Sequence, residues 1–128
     1  MIGYTTVGTK DMDKAAAFYD ELLGILGAKR AWDWDGFKGW ATEPGKPMFV
    51  VTYPNDKNEA TVGNGVMIAL SAPDQETVKT LYDKAIELGG TCEGEPGYRG
   101  SEEMGFYAGY FRDLDGNKLN AFNYSPKK

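Results

Sequence analysis

The sequence predicts an α+β chain made of two copies of one strand–helix–strand–strand–strand (βαβββ) unit. Three observations carry that reading. "KDMDKAAAFYDELLGILGA" and "APDQETVKTLYDKAIELGGT" align without gaps at an offset of 63, which lays Asp11 on Asp74, Tyr19-Asp20 on Tyr82-Asp83 and Gly27 on Gly90. Each of these stretches has apolar residues at helical spacing and follows a short strand-like run. Glycine makes up 17 of 128 residues, nearly twice the usual ~7%. Together with six prolines it divides the remainder into short strands and tight turns.

In the first copy, "GYTTVG" reads as a strand, and Ala15, Phe18, Leu22 and Ile25 mark the buried face of the helix that follows. Asp11 is the expected N-cap, and Gly27 supplies the left-handed stop. Strands are then expected over Ala28 to Trp34, Phe37 to Thr42 and Met48 to Tyr53, separated by the turn signals "WDG" and "EPGKP". "PNDKNEATVGNG" is a polar linker over about 54–64, so module 1 spans about 1–55 and module 2 about 65–128, within a single domain of 128 residues. In the second copy Val66, Ile68 and Leu70 alternate and are expected under the helix, leaving Met67 and Ala69 on the opposite face. By the repeat, Tyr4 and Thr6 take that opposite face in module 1. The second helix carries Val78, Leu81, Tyr82 and Ala85 inward, is capped by Asp74 with or without Ser71, and ends at Gly89-Gly90. Strands over Thr91 to Glu95, Phe106 to Arg112 and Lys118 to Tyr124 complete it.

Charge and composition narrow the function. The net charge of −5 and pI near 4.7 repel phosphate backbones, and no basic stripe interrupts the scattered Lys and Arg. No nucleic-acid or membrane partner is expected, and with no export signal the expected compartment is the cytoplasm. There is no histidine, and Cys92 is the only cysteine. Without a neighbouring imidazole to draw off its proton, Cys92 is read as a small strand residue and not as a nucleophile.

Read together, "TVGTKDMDKAAAFYDELLGILG", "NGVMIAL" and "GYFRDLDGNKLNAF" resemble the vicinal oxygen chelate superfamily, the group of glyoxalases, bleomycin-resistance proteins and extradiol dioxygenases. The resemblance covers essentially the whole chain. It implies two βαβββ modules forming an open, cup-shaped mixed sheet with helices on the outer face, assembled as a homodimer. It further implies metal ligands projecting from the first and last strands of each module, two histidines on the opening strands and carboxylates on the closing ones. Carried over, the opening positions are Tyr4 and Met67. The closing positions are Asn120 and, by laying "PGKPMF" on "DGNKLN", Phe49.

Those four side chains make a poor cage. Phe offers no donor, Met only a soft thioether, and Tyr must lose a proton of pKa about 10. Zinc or iron wants imidazole, and a hard cation wants several carboxylates. No metal and no other cofactor is therefore expected. The four positions instead read as the lining of an aromatic, mildly polar cup, to which "AWDWDGFKGW" adds Trp34 and Trp40, and the last strand Phe122. Trp32 and Trp34 share a strand face with Asp33 on the opposite one, and a cation resting on such a ring would have Asp33 or Asp35 nearby. The expected function is metal-independent binding of an aromatic or cationic small molecule. One alternative is a glyoxalase-type, lactoylglutathione lyase-like enzyme that moves protons through Tyr4, Glu102 or Glu103. Another is a dimeric interaction module whose cup is filled by its own side chains.

One motif points elsewhere and fails, and one loop has two readings. "DLDGN" lacks the Gly and Glu spacing of a calcium loop, because Lys118 and Tyr124 occupy those places, and it reads as a hairpin turn at Asp115-Gly116. "GSEEMG" is read as either a flap over the cup or a solvated loop.

Overall fold

Strand β1 (Tyr4–Gly8) leads through Thr9 and Lys10 into helix α1 (Met12–Gly24), the first of two such steps in a computed structural model that describes all 128 residues. Strands β2 (Lys29–Trp34), β3 (Phe37–Ala41) and β4 (Met48–Thr52) follow, in the sheet order β1-β4-β3-β2. The second pass runs β5 (Ile68–Ser71), α2 (Gln75–Glu87), β6 (Thr91–Tyr98), β7 (Phe106–Arg112) and β8 (Lys118–Tyr124), in the order β5-β8-β7-β6. In each sheet the opening strand pairs parallel with the closing strand, and the other pairings are antiparallel. The chain thus divides into two compact units, Met1–Asn64 and Gly65–Lys128, at the end of the expected linker.

Both helices begin where the sequence indicates. The Asp11 carboxylate accepts the Lys14 amide at 3.2 Å, and Asp74 accepts the amide and hydroxyl of Thr77 at 2.7 and 2.6 Å. Each cap satisfies a first-turn donor that has no intrahelical partner. Gly27 and Gly89 take left-handed φ values of 81° and 106° beyond the helix ends, a conformation open to glycine at little cost. Helix α1 stops at Gly24, so Ile25 is its C-cap and not a member of its buried face.

The apolar stripe of α1, including Ala15, Phe18, Tyr19 and Leu22, is buried on the sheet face that carries Val7, Trp40, Phe49 and Val51. In the second unit Val78, Leu81, Tyr82 and Ala85 of α2 are buried with Tyr107, Phe111, Leu119 and Ala121. Removing a Leu- or Phe-sized side chain from water stabilises by roughly 1.5–3 kcal/mol, so these two stripes dominate the folding of each unit.

Two expectations need correction. Val66 precedes β5 and is exposed, because the strand begins at Ile68; only Ile68 and Leu70 take the α2 side. Strand β6 runs past its expected end at Glu95 to Tyr98, through two register irregularities around Gly94 that leave it distorted. The "DLDGN" turn closes on a buried Asp113, whose carboxylate accepts the amides of Asp115 and Asn117 at 2.9 Å. This explains the motif without a metal.

The Asp74 carboxyl is held below the ordinary aspartate value of 3.8, first by the Thr77 hydroxyl and then by the Thr77 amide. A lowered carboxyl contributes stability above its unfolded pKa and loses it as pH falls through the folded one. Asp74→Ala should therefore lower the melting temperature at pH 7, and the gap to the parent should close as the pH is taken below 3.8. Thermal melts followed by circular dichroism check both parts.

Candidate functional site

A hairpin and its bulge decide which aromatic rings lie on which side of the first sheet. The "DG" turn sets Trp34 opposite Phe37 and Trp32 opposite Gly39. Between Arg30 and Trp32 the register shifts by one residue, leaving Ala31 unpaired. That extra residue breaks the simple alternation: Arg30 pairs with Trp40 and both turn toward α1, while Trp32 and Trp34 turn away from it.

On the face away from α1 four rings form one cluster. Tyr4 meets Trp32 edge-on at 5.2 Å and Phe37 at 6.3 Å. Trp32 and Trp34 stack at 5.9 Å, and both lie 5.7 Å from Phe37. Gly39 makes room for this arrangement, since a Cβ there would come within 3.5 Å of the Trp32 ring and closer to Met48 and Val50. Despite these mutual contacts Tyr4 remains 52% and Trp34 58% exposed. A cleft of about 600 Å³ adjoins the cluster, lined by Thr6, Phe37, Tyr53, Asn55, Asp56 and Glu59 among others. Phe37 belongs to both. A second hollow of about 560 Å³ lies beside it, past Tyr53, toward Thr9 and Lys10. The Tyr53 hydroxyl accepts the Met12 amide at 3.2 Å, which fixes the shared wall to the start of α1.

The remaining expected lining residues divide. Trp40 and Phe49 lie on the α1 side and not on the exposed face: their rings pack on Tyr19 at 5.8 and 4.6 Å, and the Trp40 indole donates to Asp20 at 2.8 Å. For Phe49 the cause is a one-residue slip in the alignment of "PGKPMF" on "DGNKLN". Thr6 pairs with Val50, as the repeat-related Ala69 pairs with Asn120, so Val50 is the counterpart of Asn120. A slip of one residue along a pleated strand exchanges its faces. Asp33 also takes the α1 side, bonded to Lys38 and paired with Arg30, and Lys38 draws its carboxyl below the usual range. It is not beside the tryptophans to receive a cation.

In the second unit Asn120 and Phe122 share the face away from α2, and Phe122 stacks on Phe106 at 5.6 Å. Met67 stands just before β5 and is 39% exposed. Glu102 and Glu103 lie in an exposed turn; Lys127 pairs with Glu102 at 3.6 Å, and its amide donates to the Glu103 carbonyl.

Val50 in place of Phe49 leaves the donor set of the implied metal positions no richer: Tyr4, Val50, Met67 and Asn120 provide no imidazole and no carboxylate. No group of three or more Asp, Glu or Cys side chains converges elsewhere in the chain. These residues do not fit a divalent ion. Phe37 and Tyr53, which the sequence reading did not single out, are central to the cleft. The "DG" hairpin signal between Trp34 and Phe37 was the available pointer to the first.

A model of the Glyoxalase/Bleomycin resistance protein/Dioxygenase superfamily matches residues 1–121, and the chain belongs to that superfamily. A glyoxalase/bleomycin resistance protein from Albidiferax ferrireducens T118 is similar at 32% identity, with 98% of this chain and 99% of that one covered and a TM-score of 0.87. A hypothetical protein from S. aureus follows at 27% identity, covering 96% and 92% of the two chains, with a TM-score of 0.71. A glyoxalase/bleomycin resistance protein/dioxygenase family enzyme from Burkholderia phytofirmans PsJN shares the fold at 17% identity, over 96% and 98% of the chains, with a TM-score of 0.73. No curated protein matches significantly. The α+β architecture of two βαβββ modules is accordingly the glyoxalase-like fold. No helix is long and apolar enough to cross a membrane.

The division of rings between the two faces has a direct consequence for stability. Phe49→Ala should cost about 3–5 kcal/mol as a buried ring is removed from beneath α1. Trp34→Ala should stay within about 1 kcal/mol, because its ring is more than half exposed. Urea titrations of both variants measure the difference.

Proposed function

We propose that the chain is a metal-independent small-molecule-binding protein that takes a flat aromatic ligand, neutral or cationic, against the Tyr4–Trp32–Trp34–Phe37 cluster. The observation that carries this reading is the cluster itself. Four rings held together on an exposed sheet face present an apolar area that water solvates poorly, and such patches mark interaction sites. Offset or edge-on contact with each ring is worth roughly 0.5–1.5 kcal/mol beyond the area it buries.

The adjoining cleft supplies a rim of different chemistry. Asp56 and Glu59 line it, and the Lys10 ammonium, 2.7 Å from Glu59, holds that carboxyl ionised below its usual range. A positively charged substituent on an aromatic ligand would meet the Asp56 carboxylate here, Glu59 being already paired with Lys10, and ring faces beside it. The Tyr4 hydroxyl is available as a donor or acceptor at the opposite edge of the cluster. Recognition by stacking and dipoles needs no metal, in keeping with the donor-poor residues at the superfamily's ligand positions. Bleomycin, after which the relative from A. ferrireducens is named, is one compound to test among cationic aromatic ligands.

A cationic acridine and a neutral analogue, titrated in buffer with and without a chelator, provide the test. Saturable quenching of tryptophan fluorescence is expected, unchanged by the chelator. It should be accompanied by a thermal shift that reaches about 2.7 kcal/mol of stabilisation at a hundredfold excess over the dissociation constant. Trp34→Ala should weaken binding up to about tenfold. Absence of both quenching and shift, or binding that requires added metal, would sink the reading.

A further inference from the structure

In the second unit, the face of the sheet away from α2 gathers charged and polar side chains of its own. Of the three arginines, Arg30 is paired with Asp20 and Asp33, and Arg112 with Glu93. Arg99 has no carboxylate partner. Its Nη1 and Nη2 donate to the carbonyls of Gly97 and Glu95 at 3.0 and 2.8 Å, which fixes the guanidinium 5.1 Å from the centre of the Tyr110 ring. Room for it comes from Gly94, where φ is 155° and a Cβ would stand 3.0 Å from Arg99 Nη2 and 3.5 Å from the Tyr110 ring. The irregular register of β6 around Gly94 therefore seats a cation. The Lys118 ammonium, also without an ion pair, approaches the same ring to 5.7 Å.

Tyr110 pairs across β7 and β8 with Asn120, so the two side chains share this face. Asn120 is 1% exposed, and its Oδ1 accepts no hydrogen bond. A buried carbonyl oxygen left unmatched costs about 1–3 kcal/mol, which a donor arriving with a ligand would recover. Partly exposed Lys118, Tyr110 and Phe122 flank it, so moving one of them aside gives access. Two residues beyond Asn120, Phe122 stacks on Phe106.

We propose that this face binds an aromatic carboxylate bearing a hydroxyl or amino group. The carboxylate sits between Arg99 and Lys118, the hydroxyl or amino hydrogen bonds to Asn120 Oδ1, and the ring lies along the strand toward Phe122. Two residues of strand separate Lys118 from Asn120 by about 6–7 Å, a span that one benzene ring bridges between a carboxylate and a para substituent. Two cations without acidic partners, in a chain of net charge −5, reject a cationic ligand at this point and favour an anion.

Calorimetric titration of the full chain with 4-hydroxybenzoate, benzoate and 4-hydroxybenzyl alcohol tests the assignment. The hydroxy acid should bind saturably with a dissociation constant in the millimolar range or below, more weakly as salt is raised, and more tightly than either analogue. Arg99→Met should weaken it about tenfold or more. Lys118→Met, which removes no hydrogen bond, should weaken it several-fold and guards against a folding defect in the first variant. Asn120→Leu should reduce the hydroxy acid to the affinity of benzoate while holding or raising the melting temperature, since the unmatched oxygen is gone. Equal binding of the alcohol would overturn the anion site and leave the stacking reading of the first unit standing. So would full affinity in a folded Lys118→Met variant, or no heat from the acid at about 10 mM.

Discussion

The parallel pairing of each opening strand with its closing strand is the constraint on which the rest depends. It sets Thr6 beside Val50 and Ala69 beside Asn120, and through the pleat it determines which side chains each helix covers. The helix-side residues form the two cores. What remains on the other faces is chemically distinct: a group of rings in one unit, and in the other an amide, two cations and a phenylalanine pair. Register is thus what turns a repeated scaffold into two dissimilar surfaces.

Membership of the superfamily establishes the fold, while the chemistry rests on this chain's own side chains. The positions from which relatives are expected to hold a metal carry a phenol, an isopropyl group, a thioether and an amide. Such groups offer shape, stacking surface and neutral dipoles in place of electron-pair donors, and in the first unit exposed rings stand beside a cleft that Asp56 and Glu59 help to line.

Much of the fold was legible because local signals agreed with one another. Asp11 and Asp74 sit where capping chemistry demands, and the repeat offset carried one βαβββ unit onto the next. The faces were harder to read. Ala31 bulges, so counting in twos from Arg30 misplaces both tryptophans of β2, and no residue type announces a bulge of that kind. Laying "PGKPMF" on "DGNKLN" without a gap puts Phe49 on the wrong side, because the two strands are one residue out of step. No motif marks Arg99, whose place over Tyr110 arises from the distortion of β6. The cleft at Tyr53 depends on how the segment after β4 folds back, which its polar composition does not specify.

Gly39 and Tyr110 occupy the same node of the two sheets, one pairing with Val50 and the other with Asn120. Where the first module has only a hydrogen, the Trp32 indole closes over the gap with Met48 and Val50; where the second has a phenol, a guanidinium is propped above it. The two halves of the repeat thus differ in surface chemistry through the occupant of one lattice point. An exchange of those two occupants would be expected to collapse the greasy shelf and unseat the charge together, while the shared framework of strands and helices stayed intact.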